Sequence, residues 1–465
     1  MNANLQRRDF LRTAASAAGA LWFFGSPDGE RVRPHFAPRA KRVLHFVFSG
    51  APSQHDLFDP KPALLRHHGT DLPDSVRQGQ RITTMTSGQT RLLLAGSCAS
   101  FRRRGASGAW ISDLLPHLAG AADQLAIVRS MVTDAINHEP ALNLLQTGSE
   151  QPGRPSLGAW LAWALGGEAS DLPAFVVLHS SWSGPKVDQP LYSRLWGAGF
   201  LPAQHQGVLL RGKGDPVLFL TDPPGMTPAV RAGQLQALRE LTGLAVARHG
   251  DDEANARAAQ TELAFRMQST VPRLVDLADE APAVLQSYGP DAARPGTFAR
   301  NLLLARRLFE RGVRVVQVWH GGWDQHKELE ADLPKQCRDV DQPIAAVLAD
   351  LGRRGLLDDT LVVGAAEFGR TAYAQGDLAG GYGRDHHPRC FTTWLAGAGV
   401  RAGHQHGETC ELGYNIVRDP VHVHDLNATV LWLCGFDHER LTFRHQGRDF
   451  RLTDVHGRVV RAMLA

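Results

Sequence analysis

Val43-Leu44-His45-Phe46-Val47-Phe48 runs directly into Ser49-Gly50-Ala51-Pro52-Ser53-Gln54-His55-Asp56. A short, nearly continuous apolar run that breaks into small and polar residues is the pattern of a strand buried on both faces, with a loop at its carboxyl end. The same pattern recurs at residues 125–128, 174–178, 313–319, 360–365 and 391–395, and all are read as buried parallel strands. Between them, helical periodicity predicts helices over 137–147, 157–165, 297–311, 340–354 and 425–434. Ser156 is a good N-cap for the second and Gly148 a good stop for the first. Strand and helix alternating in this way predict an α/β fold, a doubly wound, mostly parallel sheet flanked by helices.

Residues 180–296 break the rhythm with a Gly/Pro-rich stretch from Gly184 to Gly225 and a polar helical stretch over 228–277. A structureless loop of that length inside a compact domain would be unusual, so the segment is read as a cap-like insertion over the sheet. The organisation expected is a signal segment over 1–40 and one domain over 41–465.

The first forty residues read as an address. Gln6-Arg7-Arg8-Asp9-Phe10-Leu11 precedes an Ala-rich apolar run over 14–24, the pattern of a twin-arginine export signal. An amphipathic N-terminal helix is the plainer alternative. The run is too short and too rich in Ala and Gly for a membrane span. Six arginines and three acids give residues 1–40 a charge of +3, equal to the formal +3 of the whole chain, so residues 41–465 are close to neutral. Nothing there points to nucleic acid or an anionic membrane. The expected partners are the twin-arginine export machinery and a substrate met in the periplasm or outside the cell, with no stable membrane span after processing. Five cysteines without a C-x-x-C pair speak against a disulfide framework or a cysteine zinc site.

Histidine is the outlier of the composition, 21 in all, of which 11 lie between His320 and His456. Ligands in open α/β sheets bind beyond the carboxyl ends of the strands, and that is where many of the acids and imidazoles fall. Asp56 and Asp59 follow the first strand. His320-Gly321-Gly322-Trp323-Asp324-Gln325-His326 follows another. Glu367-Phe368-Gly369-Arg370-Thr371 follows a third, and Gly383-Arg384-Asp385-His386-His387 comes next. Carboxylates and imidazoles arriving from several loops are what a site for one or two divalent cations needs. Each piece also has a plain reading. Asp324 and His326 would cap the next helix, Asp385 to His387 would form a loop network, and Glu367 with Arg370 an ion pair. Asn137-His138-Glu139-Pro140 stands at a predicted helix N-terminus, a natural seat for phosphate or sulfate. His138 there suits a ligand, an acid/base or a nucleophile, or packs as a simple cap.

These segments resemble an exported family known as domain of unknown function 1501, itself similar to sulfatases and the alkaline-phosphatase-like superfamily. The resemblance rests on Arg7-Arg8-Asp9-Phe10-Leu11, on Ser49 through Asp56 to Asp59-Pro60, and on Asn137-His138-Glu139-Pro140-Ala141. It continues with Gly321 to His326, Glu367 to Thr371, Gly383 to Pro388, and His424-Asp425-Leu426-Asn427-Ala428-Thr429. It implies that Asp56 matches a strand-end metal ligand, that Asn137 or His138 occupies the nucleophile's place, and that Asp324 and His326 match a later ligand pair. Glu367-Phe368 stands where sulfatases have an Asp-His pair, which appears here later as Asp385-His386. No Cys/Ser-x-Pro-x-Arg is present, so a formylglycine mechanism is not expected; Ser53 and Thr133 remain as hydroxyl nucleophiles to consider.

The function expected is that of an exported metal-dependent hydrolase of sulfate or phosphate esters, with an anionic polysaccharide among its substrates. Asp56, Asp324, His326, Glu367, Asp385 and His386 are the expected ligands of one or two cations (Zn, Mn, Ca or Mg). His138 is the expected acid/base, with Asn137 beside it and Arg370 or Arg384 gripping an ester oxygen. The rival is an exported metal- or glycan-binding protein that keeps the fold without turnover, favoured by the missing nucleophile. No His-Glu-x-x-His supports a zinc peptidase.

Overall fold

In the computed structural model, which describes residues 32–184, 190–212, 214–217, 222–249 and 252–465, the apolar run at Val43 forms the strand β1 (Arg42–Phe48). The principal elements come next in order: α1 (Gln54–Leu57), β2 (Leu125–Val132), α2 (His138–Thr147), α3 (Leu157–Leu165), β3 (Phe175–Ser180) and β4 (Val208–Leu210). Then come α4 (Pro228–His249), α5 (Asp252–Val275), α6 (Phe298–Glu310), β5 (Val315–His320), α7 (Leu329–Arg353) and β6 (Thr360–Ala365). A two-stranded ribbon, β7 (Gly369–Gln375) with β8 (Gly383–His387), precedes β9 (Phe391–Gly397), β10 (Gln405–His406), β11 (Val421–His422) and α8 (Val423–Leu433). Residues Pro34–Ala465 form one compact unit. The twin-arginine motif and its apolar run lie outside the described residues. No helix among the described residues is long and apolar enough to cross a membrane.

The central sheet has nine strands in the order β10-β2-β9-β6-β1-β5-β3-β4, with β11 also paired to β2. β1 lies between β5 and β6, parallel to both, with Phe48 opposite His320 and Val47 opposite Ala365. Leu44, Phe46 and Phe48 face one way and join Val316 and Val318 in a core covered by α6 and α7. On the other face, α3 lies against β3 and β5, and α2 packs against α3 and α8. That face carries a buried polar chain. Gln317 Nε2 donates to Gln146 Oε1 at 2.7 Å and contacts His45 Nδ1 at 3.3 Å, while Trp319 Nε1 donates to Gln317 Oε1 at 3.0 Å. Helices on both faces make the sheet doubly wound, as the alternation predicted.

One strand departs from the sequence reading. β9, expected to be parallel, runs antiparallel to both β2 and β6. The chain leaves β6 at the carboxyl end of the sheet and stays there to build the β7–β8 ribbon. It therefore re-enters from that same end, without the long crossover a parallel strand requires.

Caps agree closely with the sequence. Ser156 Oγ accepts from the Ala159 N–H at 3.2 Å, and Thr297 Oγ1 from the Arg300 N–H at 3.2 Å. Gly148 ends α2 with φ 66°. α7 is longer than expected, beginning at Leu329 rather than at Val340 and running through Pro334. In the 180–296 segment, β4 extends the sheet edge beside β3, and Met267, Val271 and Leu274 of α5 are buried in the core beside α6.

Candidate metal centre

The carboxyl ends of the strands bring four side chains to one point. His138 is the first residue of α2, Asp324 and His326 lie in the loop after β5, and His386 is in β8. One ligand atom from each lies within 4.8 Å of all the others. The loop that carries Asp324 needs glycines around it. Gly50 has φ 100°, and a Cβ there would stand 2.5 Å from the Asp324 nitrogen.

The three imidazoles share one arrangement. Their Nε2 atoms lie 3.2 Å (His138), 2.8 Å (His326) and 3.3 Å (His386) from the same oxygen, Asp324 Oδ1. Their Nδ1 atoms are each held from behind by an acceptor. His138 Nδ1 donates to Glu367 Oε1 at 2.6 Å, His326 Nδ1 to Gln375 Oε1 at 2.5 Å, and His386 Nδ1 to the Ile136 carbonyl at 2.8 Å. An acceptor behind each ring fixes the Nδ1–H tautomer and turns the Nε2 lone pair inward. Three inward lone pairs around a carboxylate are mutually repulsive unless a cation or protons lie among them. His138 Nε2 is buried without an aligned hydrogen bond.

Charges agree with this. Asp324 and Glu367 bring two negative charges, and Arg370 brings one positive, its Nη2 2.6 Å from Asp324 Oδ1. Burial alone would raise the Asp324 carboxyl, but the Arg370 charge and the three adjoining imidazoles reverse this and hold it far below the carboxylate range. Burial opposes protonation of His138, yet the neighbouring Asp324 and Glu367 carboxylates outweigh it and raise its pKa. In His386 burial prevails and the pKa falls to about 4. The donor set therefore fits a divalent cation, with His138, Asp324, His326 and His386 to hold it. The entrance lies at His326, whose side chain is 18% exposed against 5% for His386.

The remaining residues expected at the site fall elsewhere. Asp56 is fully buried in an ion pair with Arg384, Nε to Oδ2 at 2.9 Å, and accepts from the Cys98 N–H at 2.9 Å. Asp385 Oδ2 accepts from Thr83 and Thr86 hydroxyls, each at 2.5 Å. Neither carboxylate joins the cluster. Asp56 already has a guanidinium for its counter-charge, and strand alternation separates Asp385 from His386. Glu367 stands behind His138 and also accepts from the Gly50 N–H at 2.8 Å. Arg370 donates to the carbonyls of Ala51 (2.9 Å), Arg384 (3.1 Å) and Gly50. Arg384 donates to Thr371, Ala95 and Gly96 carbonyls besides Asp56. Neither guanidinium is left to grip an ester oxygen. Asn137 caps α2 without a side-chain hydrogen bond and is exposed beside His138.

A family model described as "Protein of unknown function (DUF1501)" matches residues 40–464. The chain belongs to this family. No curated protein sequence matches the chain. Among solved structures this family member is similar to the phosphonate monoester hydrolase SpPMH from Silicibacter pomeroyi, at 15% identity over 75% of this chain and 71% of that one, TM-score 0.33. It is also similar to the PsFucS1 sulfatase from Pseudoalteromonas sp., at 12% identity over 86% and 68%, TM-score 0.34. The alkaline phosphatase from the Antarctic bacterium TAB5 gives 11% identity over 86% and 98%, TM-score 0.31.

Three participants were not legible from sequence. Gln375 closes β7, the Ile136 carbonyl belongs to the loop before α2, and the Gly50 N–H is backbone. An amide, a carbonyl and an N–H occur everywhere in a chain, and only the fold singles these out.

Proposed function

We propose that this family member is an exported metal-dependent hydrolase of sulfate or phosphate esters, with His138, Asp324, His326 and His386 as the cation's ligands. The observation that supports it is the convergence of three Nε2 atoms on Asp324 Oδ1, each imidazole braced by an acceptor on Nδ1. A set with three imidazoles and one carboxylate favours Zn or Mn over Ca or Mg, which prefer oxygen. A cation held there supplies Lewis acidity toward an anionic ester oxygen.

The chain's own residues divide the remaining work. Glu367 holds His138 in its tautomer, and Gln375 does the same for His326. Arg370 fixes the Gly50–Ala51 turn against Asp324 and contributes positive charge. His138 cannot use one Nε2 lone pair both as a ligand and as a proton carrier, so its role is that of a ligand. Asn137, exposed at the helix N-terminus, is the group free to contact substrate. The substrate class is the one the family resemblance implies.

Elemental analysis of the purified mature protein tests the site. About one equivalent of Zn or Mn in the wild type and loss of it in Asp324→Ala are expected. Hydrolysis of a panel of aryl sulfates and phosphate mono- and diesters then tests the reaction. A wild type that is metal-free after mild purification sinks the site; a loaded protein inert on every ester leaves the non-catalytic binding protein in its place.

A further inference from the structure

The β7–β8 ribbon has two sides. His386 points to the metal cluster, while His387 points away and donates from Nε2 to the Tyr414 carbonyl at 2.8 Å. Beyond Tyr414 the surface opens into a cleft of about 560 Å³, a volume typical of ligand sites. Its wall is built from amides. Gln80 Nε2 donates to Asn415 Oδ1 at 2.5 Å, and Asn415 Nδ2 to the Val76 carbonyl at 2.7 Å. That leaves Gln80 Oε1 buried without a partner. Gln78 is a further lining amide, and Val417, 61% exposed, supplies an aliphatic surface.

One arginine lines this cleft and a second adjoins its lining in the chain, and neither is in an ion pair with a described residue. Arg389 lines it, is exposed, and forms no ion pair or side-chain hydrogen bond there. Arg77 sits between the lining residues Val76 and Gln78, makes no ion pair with a described residue, and has its Nε buried without a partner. Both charges reach the Tyr414 hydroxyl. Burial pushes that group up to about 12, and both guanidinium groups oppose the rise.

We infer that this cleft binds an anionic saccharide, with Arg389 and Arg77 on its sulfate, phosphate or carboxylate and Gln78 and Gln80 on its hydroxyls. Unpaired guanidinium groups call for an oxyanion. Amide side chains, which donate and accept side by side, match neighbouring sugar hydroxyls. The aliphatic Val417 suits the C–H face of a sugar. No aromatic ring is among the described lining residues, so the stacking platform of a nucleobase is missing. As an anchor for a polysaccharide ester whose reacting unit lies at the cluster, the inference rests on the hydrolase reading. As a binding site it does not.

Calorimetric titration of the metal-loaded full chain with sulfated dextran oligosaccharides is the test, with uncharged dextran and inorganic sulfate as comparisons. The sulfated oligosaccharide should bind more tightly than either. Arg389→Gln and Arg77→Gln should each weaken it by about tenfold, the loss of one charge-assisted contact, with metal content unchanged. Val417→Asp, on the surface, should weaken it too and guards against misfolding of the arginine variants. Undiminished binding in the Arg77→Gln/Arg389→Gln double variant overturns the inference. So does inorganic sulfate binding as tightly as the oligosaccharide, or loss of saccharide binding in Asp324→Ala, which would place the ligand at the cluster. Saccharide affinity intact in a protein that holds no metal would remove the hydrolase reading and leave the cleft. Ester hydrolysis without saccharide affinity would do the reverse.

Discussion

Glu367 has no exposed surface, yet it decides how His138 presents itself. Its Oε1 takes the His138 Nδ1–H and the Gly50 N–H, so one carboxylate ties the helix start to the turn after β1. Glu367→Gln keeps the shape but loses the charge and lets the amide turn an N–H toward Nδ1. Cation affinity should then fall roughly 10- to 100-fold, the usual result of removing a partner behind a metal-bound histidine. A chelator-competition titration measures this, and an unchanged affinity would show that Glu367 does not position His138. At this scale the sequence was informative about residue type and silent about partners. Asp324, His326 and His386 stood out because they come after strands. Asp56 stood out for the same reason, yet Arg384, far from it in sequence, takes its charge. Arg370, too, read as a free cation and proves to be a strut across four backbone carbonyls.

The turn after β1 is the element on which the centre depends. Gly50 at φ 100° is in a region that disfavours side chains, and its missing Cβ is what lets the turn pass the Asp324 nitrogen. Gly50→Ala should force the two loops apart, costing about 1–3 kcal/mol of stability and lowering cation content together with it. Thermal unfolding and elemental analysis read the two effects. Full metal content at wild-type stability would mean that the loops are not held in register there. Elements were legible where burial shaped composition. β1, β5 and β6, covered on both faces, appear as apolar runs. The direction of β9 was not, because an apolar run carries no polarity and direction depends on which end of the sheet the chain has reached. The start of α7 was hidden by Pro334, whose missing N–H reads as a helix boundary although the helix continues through it.

Across the whole molecule, the histidine excess becomes a stability argument. His45 and His387 are buried in different elements, one in β1 and one at the end of β8, and burial lowers the pKa of each to about 4. An unfolded chain protonates these rings near the ordinary value of 6.5, whereas the folded protein resists until about 4. Between those values the unfolded state binds more protons, so stability falls as pH falls through that window and levels off below it. Each ring contributes up to about 1.4 kcal/mol per pH unit at the steepest part. The melting temperature should therefore drop progressively between neutral pH and roughly pH 4. His45→Gln, which keeps an acceptor for Gln317 without a titrating ring, should flatten the slope even if it lowers stability at neutral pH. Carboxylates paired in the fold, such as Asp56 with Arg384, add their own acid sensitivity at lower pH, because a depressed pKa loses its stabilisation only as the group protonates. Parallel slopes for wild type and His45→Gln between pH 6.5 and 4.5, set by about the ordinary histidine value and the lowered one, would show that the charge-free burial of His45 is not what makes the folded chain acid-sensitive.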